Sequence, residues 1–523
     1  MAADVLIGLD AGTSVIKAVA FDTEGHQLAL ASRPNRTESV AGGGVEQDME
    51  HTWTVTTEVL QALVEQLPGS ERRVAALAIT GQGDGTWLID AAGEPVAPAW
   101  LWLDGRAGNL VRALRESEVG PEVYRHTGTG LNPALQSGQL LWLQRHRPEL
   151  LARAATAFHC KDWLYFRCCG ERATDYSEGV FTYGDYRRRD YSEAVIERLG
   201  LSDLRRLLPE LVDGSRHYGR LRAAAAAATG LAEGTPVVLA PVDILCTALG
   251  GGIHDPERSV GFTILGSTGI HMRLFHDSDE IRADPVASGQ AGYIMPFVAP
   301  GTWAGMMSNM AATLNIDWWL DRVAELVEGC TGETPERREL LALLDRRAGE
   351  AEPGRVLFHP FIAENGERGP FVDPHARAQF LGLSTRVGGI DLLRGIYDAL
   401  GLAARDCYEA LGHRPEEVRI GGGAVRSPVI RRILAAALGV GLRPVDQEEA
   451  GAAGAAMVAC LALDLDPDLD SVCQRWVTPR LGPLQAPEPE LAAEYQRLLP
   501  LYRQGYRAMG DFWKALAEVR NRD

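Results

Sequence analysis

The sequence predicts an α/β protein built from two domains, and three observations carry that expectation. Short apolar runs of strand length alternate with longer stretches of helical periodicity along most of the chain. A strand, a small hydroxyl-bearing turn and a returning strand stand near the start and recur just past the midpoint. Self-similarity at so long a period points to a duplicated domain rather than a solenoid. Finally, 523 residues exceed what one hydrophobic core organises.

In chain order, the apolar run 5–9 ends in Asp10, the turn Ala11-Gly12-Thr13-Ser14 follows, and a second run returns, which reads as a hairpin. Residues 26–32 predict a third strand, 34–44 a loop and 48–67 a helix. A buried strand at 74–80 leads through Gly81-Gln82-Gly83-Asp84-Gly85-Thr86 into another at 87–90. A mostly helical region with an aromatic loop at Phe181-Thr182-Tyr183 then runs to about Leu231. The strand 236–240 precedes a helix-like run from Val242-Asp243. Gly250-Gly251-Gly252, with Asp255-Pro256 after it, marks the boundary, so the expected domains are 1–250 and 251–523. Beyond it come a strand at 259–265, the turn Gly266-Ser267-Thr268-Gly269 and a strand at 270–275. Helices follow at 310–328, 392–411 and 428–438, with a final helical segment at 491–519.

Composition narrows the function. A formal net charge of −18 argues against nucleic acid as a partner, because that needs a basic face. Lysine occurs only at 17, 161 and 514, so a lysine beside the opening turn stands out. The 8 cysteines form no C-x-x-C pair and read as buried reduced thiols, which suggests a cytoplasmic protein. No basic leader precedes the first strand, so no signal peptide is expected. No uncharged apolar run has the length of a membrane span.

Four constellations are suited to chemistry. The turns Gly12-Thr13-Ser14, with Lys17 nearby, and Gly266-Ser267-Thr268-Gly269 offer backbone N–H groups and hydroxyls for phosphate oxygens. Asp10, at a strand end, is suited to magnesium, which prefers oxygen ligands and keeps its waters. The run Gly421-Gly422-Gly423, followed by Ser427-Pro428, would let a flat base approach the backbone while Ser427 caps a helix. Asp243 directly follows a strand and has two readings: a base that takes a proton from an attacking hydroxyl, or a helix N-cap, which spacing alone slightly favours. Gln82, Asp84 and Asp104, with Trp102 beside them, suit a polyhydroxylated ligand, whose hydroxyls need partners and whose C–H faces want apolar cover. For one of Trp100 and Trp102 core packing is the expectation. There is no His/Cys metal cluster, G-x-S-x-G elbow or Walker A motif.

Taken together these residues resemble the FGGY carbohydrate kinases, which have two RNase-H-like domains of the actin-like ATPase fold and an interdomain active-site cleft. The resemblance rests on Asp10 to Ser14, Gly81 to Gly85, Trp102-Leu103-Asp104-Gly105-Arg106, the Asp243 segment, Gly266 to Gly269, Glu367-Arg368-Gly369-Pro370 and Gly421 to Ser427. It implies ATP and Mg2+, with Asp243 as catalytic base and Asp10 as the magnesium-side carboxylate. It makes the three turns phosphate and adenosine contacts. Where xylulose kinases usually carry Gln-Met-His-Gly, this chain has Gln82-Gly83-Asp84-Gly85, an acceptor in place of a donor. A ketose carbonyl needs a donor, whereas a polyol offers hydroxyl donors. Within the family the chain is most similar to the erythritol kinases, on Gly81 to Trp87, His159 to Tyr165 and Asn315-Ile316-Asp317-Trp318. Arg432 and Ala436 stand where glutamine and aspartate are usual. The implied partners are a small polyol and ATP, with neither nucleic acid nor membrane, and a homodimer is left open.

Overall fold

The computed structural model describes residues 4–67, 74–284, 286 and 288–520. They form two compact units, one of 1–256, 275–304 and 447–480, the other of 257–274, 305–446 and 481–523.

The first unit is built on strands β1 (Val5–Ala11), β2 (Val15–Phe21), β3 (Gln27–Pro34), β4 (Val74–Gly81), β5 (Gly219–Arg220) and β6 (Pro236–Leu239), in the order β5-β6-β4-β1-β2-β3. The hairpin β1–β2 is antiparallel, as expected, while β4 pairs parallel with both β1 and β6. Helices cover both faces of the parallel strands, so β1 and β4 read as nearly unbroken apolar runs rather than alternating ones. Helix Met49–Glu65 starts where Asp48 accepts the His51 N–H, a side-chain cap that fixes its first turn.

In the second unit the strands β7 (Val260–Leu265), β8 (Gly269–Phe275), β9 (Trp303–Asn309), β10 (Glu417–Gly421) and β11 (Gly441–Pro444) neighbour one another as β9-β8-β7-β10-β11. Again the leading hairpin, β7–β8, is antiparallel and its first strand pairs parallel with a later one. The two sheets repeat one plan, which is the duplication that the sequence suggests. Helix Pro428–Leu438 has the predicted bounds, with Ser427 as its cap and proline in its first turn.

The structure departs from expectation in five places. Residues 447–480, which the sequence-based division puts in the second domain, pack with the first unit. Helix Ala450–Ala462 is made almost entirely of small residues, so it lies directly on the sheet. A Cβ on Gly8 would sit 2.0 Å from the Ala452 carbonyl oxygen, and one on Gly454 would sit 1.9 Å from that of Cys246. Phe181-Thr182-Tyr183 is no loop but the end of helix Tyr176–Tyr183, buried on all sides. The stretch 34–44 contains the short strand Glu38–Val40. The last helical segment is two helices, Pro489–Arg507 and Gly510–Arg520. Seven cysteines are buried and free, but Cys330 is exposed, because it lies near the end of helix Thr313–Thr331 on a face that packs against little. Among the described residues no helix is long and apolar enough to cross a membrane.

Candidate active site

Asp243 is placed by its backbone. Strand β6 pairs with β4 up to Leu239, and the next three residues are each tied down. The Ala240 N–H donates to the Ile79 carbonyl at 2.9 Å, Thr80 Oγ1 donates to the Pro241 carbonyl at 2.6 Å, and the Val242 N–H donates to Ser177 Oγ at 2.9 Å. Asp243 is then the first residue of helix Asp243–Gly250. The cap position belongs to Val242 and carries no side-chain bond, so the N-cap reading of Asp243 does not hold. Its carboxyl is pushed well above the usual range, by burial first and then by the negative charges of Asp10, Glu178 and Asp84. A carboxylate raised in this way has a basicity closer to neutral pH, which suits a proton acceptor.

Asp10 stands on β1 opposite Lys17 on β2 and Thr80 on β4. Burial, resisted by the charge of Lys17, pushes its pKa up to about 6. A Cβ on Gly451 would lie 2.6 Å from Asp10 Oδ2, so only glycine there leaves the carboxylate its place. Lys17 projects from the returning strand and pairs with Glu449 at 2.9 Å, so its charge is already matched within the unit.

The predicted phosphate turn and the predicted polyol residues meet in one hydrogen-bond chain. Trp102 Nε1 donates to Thr13 Oγ1 at 3.0 Å, and Thr13 Oγ1 donates to Gln82 Oε1 at 2.8 Å. Gln82 Nε2 donates to Gln47 Oε1 at 2.8 Å, and Gln47 Nε2 reaches the Thr13 and Arg36 carbonyls. Gln82 is buried, Trp102 is exposed, and Ser14 and Gly12 complete the turn beside them. Asp84 follows in a left-handed conformation (φ 57°), which aspartate tolerates better than most residues, and its N–H donates to Glu178 Oε2 at 3.4 Å.

Asp104 is fully engaged inside the protein. Oδ2 accepts the Val45 N–H at 2.9 Å, and both oxygens bind Arg106, whose Nη2 approaches to 2.6 Å. The Arg106 guanidinium lies over the Trp100 ring, 3.3 Å from its centroid, so Trp100 is the core tryptophan of the pair and Trp102 the accessible one. Asp104 therefore holds the loop that carries Trp102.

In the second unit Ile264 of β7 lies in register with Gly421 of β10, so the turn at Gly266 and the glycine run emerge at the same sheet end. Gly422 has φ 89°, and a Cβ there would lie 2.7 Å from the Leu265 carbonyl oxygen; no other residue fits. The carbonyls of Gly266 and Ser267 accept the N–H groups of Thr313 and Ala312, leaving the Ser267 and Thr268 side chains exposed. Gly423 opens a short 3-10 turn, after which Ser427 Oγ accepts the Ile430 N–H and donates to Asp345 Oδ1 at 2.7 Å. Arg432 pairs with Glu488 at 2.8 Å, and Ala436 is buried.

Sequence reading did not single out Gln47, Ser177, Glu178 or Glu449 as site residues. Only tertiary folding brings them to the Asp10–Asp243 region. The rarity of lysine could have drawn attention to buried Lys161, which is salt-bridged to Asp162 and Asp175.

A duplicated α/β fold in which paired hairpin turns offer hydroxyls and amides, with a basic carboxylate at a helix start, defines the two-domain kinases of the actin-like ATPase architecture. The chain belongs to the FGGY family of carbohydrate kinases: the N-terminal domain of that family matches residues 5–250 and its C-terminal domain residues 261–463. It is 44% identical to the erythritol kinase of Brucella abortus (strain 2308), with 98% of each chain covered. It is 31% identical to the xylulose kinase of Escherichia coli (strain K12), over 96% of this chain and 99% of that one. The crystal structure of xylulose kinase from Rhodospirillum rubrum superimposes with a TM-score of 0.85 at 26% identity, over 98% of this chain and 100% of that one.

Proposed function

We propose that the protein transfers the γ-phosphoryl group of ATP to a terminal hydroxyl of a small linear polyol, erythritol giving erythritol 4-phosphate. The 44% identity to an erythritol kinase across 98% of both chains carries this reading. The acceptor character of the pocket residues agrees with it, because Asp84 and Asp243 suit the hydroxyls of a reduced polyol better than a carbonyl. Asp243 orients the attacking hydroxyl and accepts its proton as the oxygen–phosphorus bond forms and the bond to ADP breaks in line. Gln82 and Trp102 flank the polyol, the Trp102 ring covering its C–H face.

The turns Gly12-Thr13-Ser14 and Gly266-Ser267-Thr268 hold phosphate oxygens, and Gly421-Gly422-Gly423 with Ser427 lines the adenosine side. Asp10 fits a nucleotide-borne magnesium ion, which needs one carboxylate and keeps its waters; the raised Asp10 pKa of about 6 reflects a buried charge that such a cation would relieve. Bound there, magnesium would neutralise charge on the transferring phosphoryl group.

ADP release measured over erythritol, threitol, xylitol, D-xylulose and D-ribulose tests the reading. Erythritol should give the highest kcat/KM, and a higher value on xylulose would establish a pentulose kinase instead, as the 31% identity to one would then warrant.

A further inference from the structure

Behind Asp243 lies a buried ionic network to which the reaction as described gives no task. Lys161 is inaccessible, and its Nζ donates to Asp162 Oδ1 at 2.9 Å and lies 2.6 Å from Asp175 Oδ1. Burial opposes the charge of Lys161, but Asp162, Asp175 and Glu178 outweigh it and keep the ammonium protonated. Asp175 Oδ1 also accepts the Ser177 hydroxyl at 2.9 Å, and its Oδ2 accepts the Ser177 N–H at 2.8 Å. With its O–H donating to Asp175, Ser177 Oγ accepts the Val242 N–H at 2.9 Å. On the other side His159 Nδ1 lies 3.0 Å from Asp162, and His159 Nε2 lies 3.5 Å from Glu178, the residue that receives the Asp84 N–H.

Buried ion pairs contribute little net stability, since desolvation offsets most of the attraction; their best-supported use is to impose one geometry. A purely structural account would have Lys161 join helix Cys160–Cys169 to the start of helix Tyr176–Tyr183. That account leaves unexplained why the chain of bonds ends on the amide next to Asp243 rather than within those two helices.

We propose that Ser177, fixed by the buried Lys161–Asp175 pair, is a positioning residue for Asp243: it locks the Val242 amide and with it the first turn of the helix that carries the base. The inference rests on Asp243 being the base. Ile79 and Thr80 hold the backbone of Ala240 and Pro241, so removing Ser177 frees the last of three anchors, the one next to Asp243, and lets the carboxylate drift. Misplacement of a reacting group by about 1 Å costs on the order of 100-fold in rate. The other contacts to the polyol and ATP do not depend on that alignment, so the loss belongs mainly in kcat.

The test is steady-state kinetics of the full-length Ser177→Ala enzyme with erythritol and ATP. The expected result is kcat lowered about 10- to 100-fold, with KM for both substrates within about twofold. Ser177→Thr, which keeps the oxygen, should return kcat to within about threefold. In an Asp243→Asn background Ser177→Ala should lower kcat no further, because residues acting through one group are not additive. If Ser177→Ala does not fold by near-UV circular dichroism, Ser177→Cys takes its place. A folded variant with kcat within about twofold of wild type overturns the proposal, as does a loss confined to KM. So does equal impairment of the alanine and threonine variants. If Asp243→Asn itself stays active, the base assignment fails; if it is inactive while Ser177→Ala is unimpaired, only the positioning role fails.

Discussion

Replacing Asp243 with asparagine should separate catalysis from stability in opposite directions. The substitution keeps the size of the side chain and the backbone bonds at Ala240, Pro241 and Val242, so the helix start stays in place. It removes the proton acceptor, a contribution of about 100- to 10,000-fold, or about 3–5 kcal/mol in the barrier. It also removes a carboxyl whose charged form burial and the fields of Asp10, Glu178 and Asp84 all oppose. Because the folded pKa is raised, ionised Asp243 lowers stability as pH rises above the ordinary carboxylate range; a neutral amide escapes that loss. The variant should therefore show kcat reduced at least about 100-fold, ATP affinity within about twofold by calorimetry, and a higher Tm at pH 7.5. The gain in Tm should vanish below about pH 3, where the wild-type carboxyl is protonated in both the folded and the unfolded state. Retention of more than about a tenth of wild-type kcat, or a Tm below wild type at pH 7.5, would refute the reasoning.

Three further outcomes are expected. Gly8→Ala should cost about 1–3 kcal/mol in urea denaturation, because its Cβ would meet the Ala452 carbonyl at 2.0 Å and neither backbone has room to yield. Burial holds His271 and His359 neutral, each lowered to about 4. The unfolded chain then binds more protons between pH 4 and 6.5, so the stability these groups allow is present above 6.5 and lost as pH falls. The loss per histidine is about 2 kcal/mol from pH 7 to 5, and His271→Gln should remove its share of it; an unchanged pH dependence would contradict this. Asp84→His keeps a residue tolerated at φ 57° but exchanges an acceptor for a donor. It should lower kcat/KM for erythritol at least about tenfold and raise the xylulose-to-erythritol ratio, both measured by ADP release.

Most of the fold is written in local pattern. The hairpin at Asp10, its counterpart at Gly266 and the capped helix at Pro428 follow from short-range periodicity and turn chemistry, and those signals survive folding because they are satisfied by neighbours in sequence. The glycine run at Gly421 was also legible, since the φ of Gly422 admits little else.

Local pattern therefore carries the order of elements, the two matching hairpins and the residues that mark a carbohydrate kinase. The tertiary structure alone decided how those residues are used. It turned Asp104 inward onto Val45 and Arg106, matched Lys17 with Glu449, and separated Trp100 from Trp102. It also brought helix Ala450–Ala462 onto β1 and linked Lys161 through Asp175 and Ser177 to the backbone beside Asp243. The deciding partners lie far apart in the chain: Val45 with Asp104, Lys17 with Glu449, and Ser177 with Val242. Which partner a buried polar group finds is set by the packing of whole layers, and local spacing carries no record of it.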